Sequence, residues 1–327
     1  MNDVAVTVSA NRSTATREQR EPRDIRRALQ LVLATVWLVD GLLQFQPFMF
    51  TRAFGSQMLA ATAQGNPSAV AHSITWADLV IGHHSVVADA VFAVVQVLIG
   101  FGIAWRPTIK PALALSIAWS CGVWWFGEGL GGLFSGTANP VNGAPGAVLL
   151  YAVLAVLLWP ADRTTATSPF VAARAVGASV ARGLWLMLWG LLGCVAVLGA
   201  NRSPQGLRQL VTQMASGQPR WLAGLDHHVA NLLAHRGLGV SVGLAVLLGV
   251  IAVGVFLPGR LARVTVVLAL VLGAGIWVLG ENFGGIFTGS GTDPNSGPLL
   301  MLIAAAYWPS RVGSGRPADR ELDVVGA

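Results

Sequence analysis

Gly127-Glu-Gly-Leu-Gly-Gly-Leu-Phe-Ser-Gly136 returns later in the chain as Gly280-Glu-Asn-Phe-Gly-Gly-Ile-Phe-Thr-Gly289. Each copy closes a long apolar run and leads into a polar loop, through Asn139-Pro140 in the first and Asp293-Pro294 in the second. An acid repeated in apolar surroundings, within so close a pattern, points to a duplicated membrane protein. Sliding one half over the other extends the match. Trp37 falls on Trp189, Gln57–Pro67 on Gln209–Pro219, His83 on His235 and Glu128 on Glu281. Trp159-Pro160 matches Trp308-Pro309 after a deletion in the last apolar run.

Composition agrees. Hydrophobic residues make up 54% of the 327 and charged residues 11%, with a mean hydropathy of +0.62. A soluble domain carries about 25% charged residues, so this chain lacks the polar surface to cover itself in water. The net charge of +6 does not imply nucleic acid, because the arginines cluster in tails and short loops, where a membrane protein keeps its cytoplasmic charge. Arginine far outnumbers lysine, which is represented by Lys110 alone, and Ala, Val and Gly abound; this is the usage of a high-GC bacterial genome. Cys121 and Cys194 lie in apolar runs at unmatched positions and form neither a disulfide framework nor a metal-ligand spacing.

The apolar runs predict an all-α integral membrane bundle of eight transmembrane helices, as two parallel four-helix repeats. The spans are expected at about 28–46, 84–104, 112–134 and 147–160, then 182–200, 238–257, 262–287 and 298–309. The organisation that follows is a disordered cytoplasmic tail (1–27), repeat one (28–162), a cytoplasmic linker (163–181), repeat two (182–311) and a cytoplasmic tail (312–327). The polar start has no short apolar core of the kind a cleaved signal peptide needs. Arg23, Arg26, Arg27, Arg106, Lys110, Arg163, Arg174, Arg182, Arg260, Arg263, Arg311, Arg316 and Arg320 all fall on one side of this arrangement. The positive-inside rule therefore places both termini in the cytoplasm of a bacterial plasma membrane. Segment 201–236, with Arg202, Arg208, Arg220 and Arg236, dissents from that rule. An even number of spans per half makes the repeats parallel rather than inverted. Apolar residues before Gly65-Asn66-Pro67 (Phe48, Met49, Phe50, Phe54, Met58, Leu59) and before Gly217-Gln218-Pro219 (Leu207, Leu210, Val211, Met214) recur at near-helical spacing. They predict one amphipathic outer helix per half, anchored by Trp76 or Trp221.

Candidate functional residues follow from this topology. An ionised acid in hydrocarbon costs about 2.5–3.5 kcal/mol on insertion scales, so Glu128 and Glu281 are candidates for binding or proton handling. The competing expectation is that each accepts hydrogen bonds from the loop starting at Ser135 or Thr288 and fixes its fold. His83 and His235 match between repeats and are expected at the same outer mouth, giving one His and one Glu per half; a proton relay, half a metal site or, more commonly, a cap at a helix start would account for them. Asp40, aligned with Leu192, is an unmatched acid that is either functional or paired with a neighbour such as Gln44. Gly127, Gly131, Gly132 and Gly136, with Gly280, Gly284, Gly285 and Gly289, have Gly-x-x-x-Gly spacing, which on a helix strips one face for close packing. Trp119, Trp124, Trp125 and Trp277 line spans three and seven and serve packing or a ring-shaped ligand. No metal motif, Walker loop, nucleophile elbow or paired-histidine haem site is present, so no metal or cofactor is expected.

The opening Trp37-Leu-Val-Asp-Gly-Leu-Leu-Gln-Phe-Gln-Pro-Phe-Met-Phe, then Trp124-Trp-Phe-Gly-Glu-Gly-Leu-Gly-Gly and Gly143-Ala-Pro-Gly, resembles an uncharacterised actinobacterial type of multi-pass membrane protein. In size and span count each half is also similar to DoxX-like four-helix proteins, a likeness that implies quinone or thiol redox chemistry. Three readings stand side by side. The first is a transporter or permease with a polar site near the outer leaflet; the second is a redox protein contacting quinone; the third is a non-catalytic membrane scaffold. An enzyme is not the favoured reading. The lipid bilayer is the expected partner and nucleic acid is not, with a homo-oligomer or a membrane-complex partner left open.

Overall fold

The computed structural model describes residues 24–51, 54, 59–161 and 168–310. The expectations resting on Arg23, Met58, Arg163, Arg311, Arg316 and Arg320, and most of both tails, lie outside these residues. Among the described residues every regular element is helical.

The first half contains α1 (Ile25–Leu43), α2 (Ser68–His83), α3 (Ser85–Ala104), α4 (Ile109–Phe126) and α5 (Ala147–Leu157). After α6 (Val171–Val176) come α7 (Ala178–Ala196), α8 (Gly206–Met214), α9 (Arg220–Leu233), α10 (Gly237–Gly254), α11 (Gly259–Gly275) and α12 (Ser296–Ala306). Four segments are long and apolar enough to cross a membrane: Ser85–Ala104, Ala178–Ala196, Gly237–Gly254 and Gly259–Thr288. They carry an outward apolar surface that includes Val94, Leu98, Phe101, Val246, Val250 and Val271, the mark of a helix facing lipid rather than water.

Sequence and packing connect directly along α1. Asp24 caps it by accepting from the Arg27 N–H at 3.3 Å, and Leu29, Leu33, Ala34, Trp37 and Gly41 form a buried stripe at helical spacing. This stripe packs on α3. A Cβ on Gly41 would lie 2.6 Å from Val97, and one on Gly100 2.7 Å from Leu38, so both glycines are there to let two helix backbones approach. In the same way α4 packs on α5, α7 on α10, and α11 on α12.

The centre is made by α5 and α12, which pack on each other. Leu150, Tyr151, Leu154 and Leu157 of one and Leu299, Leu300, Ile303 and Ala306 of the other are buried. Each is 11 residues long, about 16 Å of helix, or roughly half the hydrocarbon thickness of a bilayer. Both therefore begin within the bundle rather than at its edge.

Two sequence expectations are corrected here. Residues 163–181 are no loose tether over their described part: Phe170, Val171, Ala172, Ala173 and Ala175 are buried, because the apolar run Phe170–Val176 packs α6 between α5 and α7. The outer segments hold more than one helix each. α8 places Leu207 and Val211 inward as expected, but a further helix starts after each Gly-x-Pro, α2 in one half and α9 in the other, where Pro67 and Pro219 occupy the position before the first turn. The inner face of α2 makes its own small cluster, Val70 and Ile74 with Leu130, apart from the main core.

The two halves are sewn together by their loops. Asn139 donates to Asn201 Oδ1 at 2.8 Å, while Asn201 donates to Ala138 O at 3.0 Å and Val195 O at 2.8 Å. In the opposite direction Gln46 donates to Gly291 O at 2.8 Å and Gln44 to Thr292 O at 3.4 Å. Asn201 is buried, so Asn201→Ala strands the Asn139 amide and two carbonyls. A loss of about 2–4 kcal/mol is expected, from two or three orphaned groups at about 1–3 kcal/mol each less relaxation. A lowered thermal midpoint in detergent, by comparison with the exposed Gln209→Ala as a surface control, checks this.

Candidate functional site

The two Glu-Gly-Gly stretches are turns and not helix faces. α4 ends at Phe126, and Gly129, Leu130, Gly131 and Gly132 follow with φ of 53, 59, 63 and 70°. In the second copy α11 passes through a π-helical turn at Ile276–Gly280, and Asn282, Phe283, Gly284 and Gly285 take φ of 47, 58, 74 and 66°. Successive left-handed residues are costly for any side chain except glycine, which explains why glycine dominates both copies. A Cβ on Gly131 would strike the Pro145 carbonyl, and one on Gly284 the Asp293 carbonyl. The glycines thus allow close approach to the loop that follows in sequence, and the expected Gly-x-x-x-Gly face between spans does not form.

The turn brings each glutamate back to the start of the next helix. Glu128 Oε1 accepts from the Val148 N–H at 3.0 Å, in the first turn of α5. Glu281 accepts from the Ser296 and Gly297 N–H groups at 3.2 and 2.9 Å, and from the Ser296 hydroxyl, at the start of α12. Ser135 and Thr288, the partners expected from the sequence, bond instead to the carbonyls of Gly132 and Gly285 and to Thr137 and Ser290. Both acids therefore meet helix N-terminal N–H groups, where a negative charge is favoured.

The two differ in what remains. All of Glu281's bonding capacity is directed at α12, and it does not line the cavity described next. Glu128 Oε2 is buried without a partner among the described residues, and Glu128 lines a cavity of about 480 Å³ in the first half. The same wall contains Asp40, Tyr151, Gln44, Gln96 and, from the second half, Thr292 and Asp293. Asp40 is buried and its Oδ2 accepts from the Tyr151 hydroxyl. Its Oδ1, with Gln44 Oε1, Gln96 Oε1 and the indole N–H groups of Trp37 and Trp119, has no partner among the described residues. Burial pushes the Asp293 carboxyl above the usual carboxylate range, against the hydrogen bonds it accepts from Thr292 and from the Asn295 N–H.

Three carboxyl groups face this space, and among the described residues no lysine, arginine or histidine lines it. Such groups need a proton or a bound cation to offset the cost of losing water. Among the described residues no three His, Cys, Asp or Glu side chains converge as metal ligands do. The remainder is apolar and aromatic, with Trp37, Trp76, Phe92 and Trp119. Trp76, Val80 and Phe126 on the wall are exposed, which puts the mouth beside α2.

The structure does not bring the histidines into this site. His83 is exposed and its Nδ1 lies 2.6 Å from Leu79 O of its own helix. His235 is exposed, at φ 62°, with Nδ1 3.2 Å from Gln205. Asp40 and Glu128 do come together, and sequence reasoning missed two of their companions. Tyr151 is one of only two tyrosines in the chain, and Asp293 was visible only as half of an Asp-Pro turn. A second polar pair, Asp226 with Asn282 at 2.8 Å, ties α9 to the second turn and was also unforeseen. Neither a protein-family model, nor a curated protein, nor a solved structure matches the chain.

The unequal bonding of the two acids separates their roles. Glu281→Gln is expected to cost stability of about 1–3 kcal/mol, since a carboxylate accepting three hydrogen bonds is replaced by an amide with one acceptor oxygen. Glu128→Gln keeps an oxygen for Val148 and is expected to cost less than half as much. Parallel thermal unfolding of both variants checks the order.

Proposed function

We propose that the protein is an integral membrane protein of the transporter or permease kind, whose first half binds a small cationic, largely apolar solute. One observation carries this reading: an aromatic cavity of about 480 Å³ with three carboxyl groups and, among the described residues, no basic residue in its wall. That volume suits a small molecule. Carboxylates beside indole and phenyl faces attract an organic cation through both charge and ring quadrupole. Asp40, with Tyr151, and Glu128 Oε2 would meet the positive centre, and Trp37 and Trp119 its apolar body.

The same proposal takes α1, α3, α4, α5 and α7, α10, α11, α12 as eight spans in two parallel repeats, with both termini in the cytoplasm of the bacterial plasma membrane. The matched helix pairs, the paired turns and the paired Glu-to-helix contacts support the duplication. The asymmetry locates the site. Asp40 is matched by Leu192 in sequence, and Tyr151 by Leu300 when the two Glu-capped helix starts are superposed, so the second half lacks the acid and the phenol.

A second reading has its own support. The indole N–H groups of Trp37 and Trp119, both without partners, suit a carbonyl acceptor, so a quinone in the DoxX manner would fit the same space.

Full-length protein in nanodiscs of neutral lipid, titrated with tetraphenylphosphonium, tests the first reading. Binding is expected, weakened roughly tenfold by Asp40→Asn and by Glu128→Gln, the loss of about 1.4 kcal/mol each. Wild-type affinity in both variants would remove the cation reading. Quinone in an organic extract of the purified protein, lost on Trp119→Phe, would move the conclusion to the second. Neither ligand, with stability alone altered, leaves a scaffold.

A further inference from the structure

At the opposite end of the bundle lies a second cavity, of about 630 Å³, walled by α7, α10, α11, the end of α12 and the residues before α6. Its charge is the reverse of the first: Arg182 and Arg263 line it and, among the described residues, no acid does. Three other polar side chains there are already engaged. Trp185 donates to Ile251 O at 2.8 Å, Tyr307 to Ala181 O at 2.5 Å, and Thr265 to Leu261 O at 3.0 Å. Arg182 Nε is buried without a partner among the described residues. The first turn of α11, at Gly259 and Ala262, also lines the cavity, adding the positive end of a 17-residue helix. Next to it Phe256, Leu261 and Val264 are exposed, an apolar surface continuous with the outer face of the bundle.

We infer that this cavity binds the phosphate group of an anionic ligand, held by Arg182 and Arg263. A guanidinium pair matches phosphate oxygens in geometry and charge. A basic cavity between helices at the cytoplasmic side is a natural seat for an acidic lipid headgroup, with the acyl chains along Leu261 and Val264. Free phosphate would satisfy the same two arginines. The inference is independent of the cation cavity, with which it shares no lining residue.

The test uses the full-length protein in neutral detergent and native mass spectrometry, with phosphatidylglycerol, phosphatidylcholine and inorganic phosphate as probes. Phosphatidylglycerol is expected to survive on the wild-type protein where phosphatidylcholine does not. Arg263→Gln, at an exposed position, is expected to weaken it at least fivefold, and Arg182→Gln with Arg263→Gln at least twentyfold. Ala262→Phe keeps both charges and fills the space, so an equal loss in that variant places the headgroup inside the cavity. Retention of inorganic phosphate with the same dependence on the arginines would identify a soluble anion as the source. Equal binding of both lipids, or wild-type phosphatidylglycerol and phosphate binding by Arg263→Gln and Ala262→Phe alike, would overturn the inference.

Discussion

A helix that begins inside an apolar bundle starts with several N–H groups that have no carbonyl to bond. At the edge of a protein water supplies the acceptors, but in the middle of a bundle nothing does unless the chain provides it. Here Glu128 and Glu281 provide it for α5 and α12. Much of the architecture follows from that requirement. The preceding helix has to end early, the backbone has to run left-handed for several residues to bring the carboxylate round, and glycine has to occupy those positions. The two capped helices can then be short, apolar and central, and the other helices arrange themselves around them.

That the same device is used twice makes the difference between the two uses informative. Glu281 is saturated by Ser296 and Gly297, because a serine at the helix start adds a hydroxyl to the N–H donors. The first half has Ala147 and Val148 there and no such hydroxyl, so an oxygen of Glu128 is left over. Around it the first half also has Asp40 and Tyr151 where leucines stand in the second. One hydroxyl fewer and two polar groups more thus leave the first acid facing a cavity where the second is engaged at a helix start. At the other end of the bundle, Arg182 and Arg263 create the opposite charge, so the chain presents an acidic recess on one side and a basic recess on the other.

The helices themselves were legible in the sequence. Long apolar runs at Ile25–Leu43, Ser85–Ala104 and Gly237–Gly254 gave their positions within a few residues, because length and hydropathy alone determine them. The Glu-Gly-Gly motif was legible as important and misread as geometry. Gly-x-x-x-Gly spacing means a packed face only if the backbone is helical, and nothing local in Gly127–Gly136 announces left-handed φ. The close helix contacts instead use Gly41 and Gly100, which have no repeat spacing to draw the eye. Asp40 was found because it is an acid in an apolar run, whereas Asp293 reaches the first half only through the crossing of a loop, a long-range fact that no local pattern carries. The histidines were matched between halves and yet point away. A match in sequence between halves reports a shared local pattern, and helix ends share patterns as readily as sites do.

The amide that secures the outer turn shows the same point on a small scale. In the first half Asn66 donates to Thr62 O at 2.7 Å, and in the second Asn282 donates to Met214 O at 3.0 Å. The accepting carbonyls occupy matched positions while the donors come from different segments, so the bond persists although the residue that makes it has changed.

The exchanged loops also limit how this molecule can move. Asn139 with Asn201, and Gln46 with Gly291, hold each half by the other's turn, so a rocking of one half against the other would have to break a buried hydrogen bond and a partly buried one together. α2 is held more lightly. Its inner face forms a satellite cluster outside the main core, its polar tie is the hydrogen bond from Trp125 to Ser73 at 2.9 Å, and Trp76, Ala77, Val80 and Ile81 along it line the acidic cavity. The wall of the acidic cavity is thus least firmly packed along α2, on the side where Trp76 and Val80 are exposed.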